Sequence, residues 1–263
     1  MTRPRVYTKH GIFGGRLLVF VTLPSTNQWL LEHAVNCNHG DAVRAVRQTA
    51  GRGRFERPWH MSDGKGLAVS VLLRTSGRDP SFDALYSQAA ALAVAEELSA
   101  AQLPACLKWP NDVLVNGRKI AGILAERATD TEAVVIGIGV NINSTQADLT
   151  EKNLQEQATS VFMERAQPAD IGRFCRRLLL RLENALAGLK KDGPDWLIRQ
   201  WCQRDALAGQ KLAVSTPRGV VCGSYAGMDL CGRLRLVDED GVEQVLSAGD
   251  VSLQRQNCPV GST

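Results

Sequence analysis

The 263-residue sequence has little of most things that assign a chain at a glance. Histidine is scarce, and its four copies show no metal-ligand spacing. The seven cysteines (37, 106, 175, 202, 222, 231 and 258) are odd in number, scattered and without a Cys-x-x-Cys pair. Neither a zinc site nor a disulfide framework is therefore expected, and a reducing cytoplasm fits. No apolar run approaches the roughly 20 residues of a membrane span, and 17–21 is too short for the core of a signal peptide. Charge of one sign is also lacking. A net charge of +4 does not argue for a dedicated nucleic-acid binder.

The remainder is an ordinary globular composition, 44% hydrophobic and 22% charged. Apolar, partly β-branched runs predict strands over 17–23, 41–46, 66–74, 107–109 and 133–141. Ser25 or Thr26 can cap a short helix through Ala34, and Ser81 a longer alanine-rich one. Leucines and other apolar residues at helical spacing predict a helix over about 169–189, with a second near 196–201. From Asp205 onward the texture changes to short alternating strands punctuated by glycine, over 211–215, 220–225, 234–237 and 242–246. This pattern divides the chain into a main unit, 1–204, and a small β-barrel, 205–263.

Chemistry concentrates in two segments. In Gly51-Arg52-Gly53-Arg54-Phe55-Glu56-Arg57-Pro58-Trp59, glycines allow close backbone approach while guanidinium forks suit phosphate or carboxylate oxygens. No Gly-Lys-Ser/Thr ending follows, so this is not a Walker A loop. In isolation a Gly-Arg-Gly-Arg is more often a solvated turn or a nonspecific RNA contact. With Gln48 upstream and Trp59 downstream, the pattern suits a loop closing over an anionic, reactive ligand. Arg44, Arg47, Arg52, Arg54 and Arg57 together support the RNA reading, but no aromatic stacking platform is interleaved with them.

The second segment runs from Lys108-Trp109-Pro110-Asn111-Asp112 to Lys119, through Asn116-Gly117, the residues a tight type I′ hairpin turn needs. A two-residue turn sets Leu114 opposite Lys119 and Asp112 opposite Ala121. Asp112, Leu114, Lys119 and Ala121 then share one face, with Asp112 and Lys119 as diagonal neighbours. Two opposite charges among apolar neighbours form either a structural bridge or a ligand site. Ser25-Thr26-Asn27, at a strand-to-helix junction, is by itself better read as a cap. Gly137-Ile138-Gly139 lacks the third glycine of a dinucleotide fold, leaving close packing beneath a ligand or ordinary strand packing.

In order and spacing, Ser25-Thr26-Asn27, Gln48 to Arg54 with Trp59, Lys108 to Asp112, Arg118 to Leu124 and Gly137 to Asn143 together resemble the bacterial biotin protein ligase family. The resemblance implies an α+β catalytic domain with a mixed, mainly antiparallel sheet, related to lipoate ligases and class II aminoacyl-tRNA synthetases, and a C-terminal SH3-like barrel. It implies ATP-dependent formation of biotinyl-5′-adenylate and transfer of biotin to a lysine of a biotin carboxyl carrier domain. Ser25, Thr26, Asn27, Gln48, Arg52, Gly53, Arg54, Asn111, Lys119 and Asn141 would contact biotin or its adenylate. Lys119, Arg52, Arg54 and Asp112 would serve the chemistry, and Asp112 would help hold Mg²⁺ with ATP. Because the Ser-Thr-Asn element begins at Ser25, the short form without an N-terminal DNA-reading helix-turn-helix is expected, and with it no DNA or membrane partner. A homodimer is left open, as is an octanoate or lipoate ligase on the same fold. The family's C-terminal Ser-Leu-Arg-like run here reads Ser252-Leu253-Gln254-Arg255, and Arg255 is not carried over as a site.

Overall fold

Eight strands form the first sheet: β1 (Arg5–Tyr7), β2 (Leu17–Leu23), β3 (Ala42–Gln48), β4 (Gly66–Arg74), β5 (Ala105–Lys108), β6 (Asp112–Val115), β7 (Arg118–Arg127) and β8 (Ala133–Asn141). Their order in space is β1-β2-β3-β4-β8-β7-β6-β5. Only β2 and β3 pair in parallel, across helix α1 (Thr26–Glu32); every other pairing in this sheet is antiparallel. The expected mixed, mainly antiparallel α+β sheet is therefore the observed one. The computed structural model describes residues 5–7, 11–75, 79–129 and 131–253, and Arg255 lies outside them.

Side chains alternate across a strand, so one face can be wholly apolar while the other carries chemistry. On β4 and β8, Leu67, Val69, Val71 and Leu73, with Val134, Ile136, Ile138 and Val140, are buried in the main core. Helices α2 (Asp83–Ala100) and α5 (Ile171–Cys202) cover that face. Seven consecutive residues of α2, Ala89 to Ala95, are fully buried, and the five alanines among them let the helix approach closely. The opposite face presents Ala68 and Ser70 from β4, and Gly137, Gly139 and Asn141 from β8. Beside this polar, glycine-rich stripe, α1 packs on a smaller cluster that includes Leu23, Leu30, Val43, Leu72 and Val135.

Several local details differ from the sequence reading. Asp79, rather than Ser81, caps the turn that leads into α2, accepting from the Ser81 amide. Gly193 (φ 78°) breaks α5 ahead of Pro194, so the two expected helices meet end to end. Two one-turn helices, α3 (Gln146–Thr150) and α4 (Val161–Arg165), were not anticipated. Cys37, Cys106, Cys175, Cys202 and Cys231 are free thiols, whereas Cys222 is disulfide-bonded.

The hairpin register is corrected by a bulge. Leu114 faces Lys119 as expected, but Val113 faces Ala121 and Asp112 faces Gly122. Ile120 is the extra residue. Ile120 and Ala121 are both fully buried, so Gly122, not Ala121, shares the open face with Lys119. The cause lies outside the hairpin. The Lys119 amide donates to Gln157 O at 2.8 Å, and its carbonyl accepts from Thr159 at 2.9 Å. Pairing with that later segment rotates the strand out of simple hairpin register.

The C-terminal strands β9 (Lys211–Thr216), β10 (Gly219–Met228), β11 (Leu234–Val237), β12 (Glu243–Leu246) and β13 (Asp250–Leu253) form one antiparallel sheet, ordered β12-β11-β10-β9-β13. Among the described residues it stays open, in contrast to the expected closed barrel. Its buried side chains, Leu212, Val214, Met228, Leu234, Leu236 and Val251, join the core of the first sheet. An apolar face covered in this way has no need to close on itself. The Trp109 and Gln88 side chains both donate to Gly232 O, at 2.9 and 2.7 Å, which fixes the contact.

Candidate active site

The glycine stripe floors a cavity of 340 Å³. All the residues singled out from sequence line it: Ser25, Thr26, Asn27, Gln48, Arg52, Gly53, Arg54, Asn111, Asp112, Lys119 and Asn141. The glycines create the space. A methyl group on Gly137 would lie 2.1 Å from Asn27 Oδ1, and one on Gly139 2.4 Å from Trp59 Cε2. The strand thus packs closely beneath the Asn27 and Trp59 side chains that line the cavity.

A hydrogen-bonded relay fixes the closed end. Ser25 caps α1 by accepting from the Gln28 amide, at 3.4 Å. The Thr26 amide donates to Gln48 Oε1 at 2.8 Å, and the Thr26 hydroxyl approaches the same oxygen at 3.1 Å. These contacts orient the Gln48 carboxamide. Ser70 Oγ lies 2.7 Å from Thr26 Oγ1 and 2.6 Å from Asn27 Oδ1. Asn27 Nδ2 donates to Leu124 O at 3.1 Å and to Glu126 Oε2 at 2.7 Å. Ser70 and Glu126 did not emerge as site residues from sequence. A serine within the otherwise apolar β4 run was the available signal, because a buried hydroxyl must find partners.

The open end is cationic. Arg52, Arg54, Arg57 and Lys119 line the cavity against two carboxylates, Asp112 and Asp250. Lys119 Nζ sits 2.6 Å from Asp112 Oδ1 and 5.6 Å from the centre of a Trp59 ring. Arg54 Nη1 donates to Gly249 O at 3.2 Å, and Arg57 pairs with Asp250, so the glycine–arginine loop rests on the turn between β12 and β13. Burial pulls the Arg54 guanidinium below its usual pKa, against the opposing pull of Asp250 and Asp112. Two buried donors, Arg52 Nε and Trp59 Nε1, have no partner among the described residues. Such groups carry a desolvation cost that a ligand oxygen would relieve.

Some predicted contacts also support backbone. Asn111 Nδ2 donates to Ile123 O, and Asn141 Nδ2 to Thr159 O, holding β7 and the 157–159 segment in place. That segment adds Gln157 and Ala158 to the lining, with Leu149 and Leu154 just before it. No sequence signal marked any of these four. Among the described residues no group of three or more His, Cys, Asp or Glu is placed to hold a metal. Asp112 is a single carboxylate, a donor set that fits Mg²⁺ only when substrate phosphates and water complete the shell.

Comparison with known proteins agrees with this geometry. Residues 19–143 match the model of the biotin/lipoate A/B protein ligase family. The chain is 37% identical to a biotin–[acetyl-CoA-carboxylase] ligase of Mycobacterium tuberculosis, over 86% of this chain and 85% of that one. It is 34% identical to the enzyme of the same name from Paracoccus denitrificans, over 86% and 96%. A biotin protein ligase from Aquifex aeolicus, solved with biotin and ATP, superposes with a TM-score of 0.78 at 27% identity, over 91% of this chain and 99% of that chain.

Proposed function

The chain belongs to the biotin protein ligase family, and from that premise we propose that its cavity joins biotin to ATP. The protein is an ATP-dependent ligase that forms biotinyl-5′-AMP and transfers the biotin to a lysine of a carboxylase carrier domain. The observation that carries this reading is the shape of the charge. A glycine-floored recess with a fixed polar end leads to a mouth holding Arg52, Arg54, Arg57 and Lys119. The recess suits a small neutral ring with hydrogen-bonding edges, and the mouth suits the carboxylate and phosphates that must meet there.

In this reading Ser25, Thr26, Asn27 and Gln48 hold the biotin ring. Its carboxylate attacks the α-phosphate of ATP and pyrophosphate leaves. Both reactants are anions, so the cations govern the barrier. Lys119, oriented by Asp112, screens the approaching carboxylate and the phosphoryl oxygens. Asp112 and the phosphates would hold Mg²⁺, which supplies further charge neutralisation when bound. Arg52 and Arg54 hold the mixed anhydride and exclude water until the acceptor amine attacks its acyl carbon and AMP departs. We further place the division between main unit and C-terminal sheet at 204/205, where Leu107 exchanges backbone hydrogen bonds with Arg204 and Ala206. A cytoplasmic setting is proposed on the five free thiols, although the disulfide at Cys222 departs from the all-reduced state expected from sequence. DNA binding forms no part of this reading.

The decisive test is incubation with ATP, Mg²⁺ and labelled biotin. Biotinyl-adenylate is expected, and unlabelled octanoate should not compete. Competition by octanoate would move the assignment to the lipoate side of the family, and tight RNA binding without adenylation would replace it.

Loop retention gives a further expectation. Arg54→Gly removes the contact to Gly249 while leaving Lys119 in place, so adenylation should persist in part and the intermediate should escape. Biotin appearing on bystander albumin should rise several-fold over wild type, by about the loss of one charge-assisted hydrogen bond. An unchanged albumin signal would argue against a retaining loop.

A further inference from the structure

We propose that Glu126, which does not itself line the cavity, is a positioning residue that sets Arg52 and Asn27 for biotin. The inference rests on the ligase reading and adds a residue to it. Glu126 ends the β7 run whose alternate members Gly122 and Leu124 line the cavity. Its two carboxylate oxygens are used separately. Oε1 accepts from Arg52 Nη2 at 2.8 Å and Oε2 from Asn27 Nδ2 at 2.7 Å. One side chain thus ties the glycine–arginine loop, at the mouth, to the asparagine at the closed end.

The arrangement fixes which edge of Arg52 faces the ligand. With Nη2 held by Glu126, Arg52 Nε is left buried beside the cavity with no partner among the described residues. A surface Arg–Glu pair would be worth little. This pair instead orients a donor whose own hydrogen bond is still unmade. Asn27 cannot rotate to adapt. Its Oδ1 accepts from Ser70, and its other Nδ2 hydrogen goes to Leu124 O. Position 126 must therefore offer two acceptors to two donors, which a carboxylate does and a carboxamide does not. Glu126→Gln would set its own NH₂ against either Arg52 or Asn27.

The test is a double-mutant cycle on biotin-dependent pyrophosphate exchange, with Glu126→Gln, Arg52→Ala and the pair, each checked for an unchanged melting profile. Glu126→Gln should raise the biotin KM about 10-fold and leave the ATP KM within about twofold, the signature of a lost hydrogen bond to a charged group on the biotin side. The pair should fall short of the product of the two single effects, because the Arg52 contact can be broken only once, while the loss at Asn27 remains on top of Arg52→Ala. If Glu126→Gln does not fold, Glu126→Asp takes its place in the cycle. It keeps the charge but is one methylene too short to reach both donors, and the same non-additivity is expected. An unaltered biotin KM, or effects that multiply, would overturn the role of Glu126 while leaving the ligase assignment intact. A wild-type protein without biotin-dependent exchange would overturn the ligase assignment itself.

Discussion

Lys119→Ala lowers biotinyl-adenylate formation by about 10²–10³-fold, the expected cost of removing one donor that stabilises charge in a transition state. The ammonium is held from three directions: by Asp112 Oδ1 at 2.6 Å, by the Trp59 ring, and through the pairing of its backbone with 157–159. It cannot drift to compensate, and neither can a replacement. Lys119→Arg should recover only part of the rate, since a planar fork is wider than an ammonium and would press on Trp59. The measurement is exchange of labelled pyrophosphate into ATP with biotin present. A near-normal rate in the alanine variant would remove Lys119 from the reaction.

Gly137→Ala should weaken biotin binding about 100-fold. The added methyl would lie 2.1 Å from Asn27 Oδ1, so Asn27 has to move. Moving it breaks its bonds to Ser70 and to Leu124 O. Asn27 is one of the proposed biotin contacts, so its displacement costs hydrogen bonds to the ligand, and two lost at about 1.4 kcal/mol each, a factor of ten apiece, reach about 100-fold. Gly137 sits within β8, where alanine is tolerated by the backbone, so the fold should persist. Gly117→Ala is the matched control: it strains a turn at φ 75° but meets nothing within 4 Å. It should lower stability and leave biotin binding alone. Calorimetric titration that gives Gly137→Ala the wild-type affinity would exclude this recess as the seat of biotin.

The sequence was legible wherever a feature is decided locally. Asn116-Gly117 takes the positive φ angles of a hairpin turn, 50° and 75°, because those two residues adopt them at little cost. The apolar runs of β2, β4 and β8 declare themselves by composition. The bulge at Ile120 was not legible, since it depends on where the Lys119 amide finds its acceptor, 38 residues later at Gln157. The relay through Ser70 and Glu126 was hidden for the same reason: a serine in an apolar strand signals that it has partners but not which, and only sheet order brings both residues to Asn27. The open C-terminal sheet was misread as a barrel because alternation reports that a face is buried but not what buries it.

The rest of the glycine–arginine loop on Gly249 and Asp250 bears on how the molecule is made. The cavity draws its lining from Ser25 near one end of the described chain to Asp250 near the other. Contacts this distant in sequence carry a high contact order, which slows folding because the intervening chain must close first. A nascent chain still short of Asp250 on the ribosome can pair β2 with β3 and β6 with β7, yet has nothing on which to seat Arg54 and Arg57. Newly made protein would therefore seat the proposed retaining loop only once Asp250 has been made, and polypeptides released before that point would lack its support.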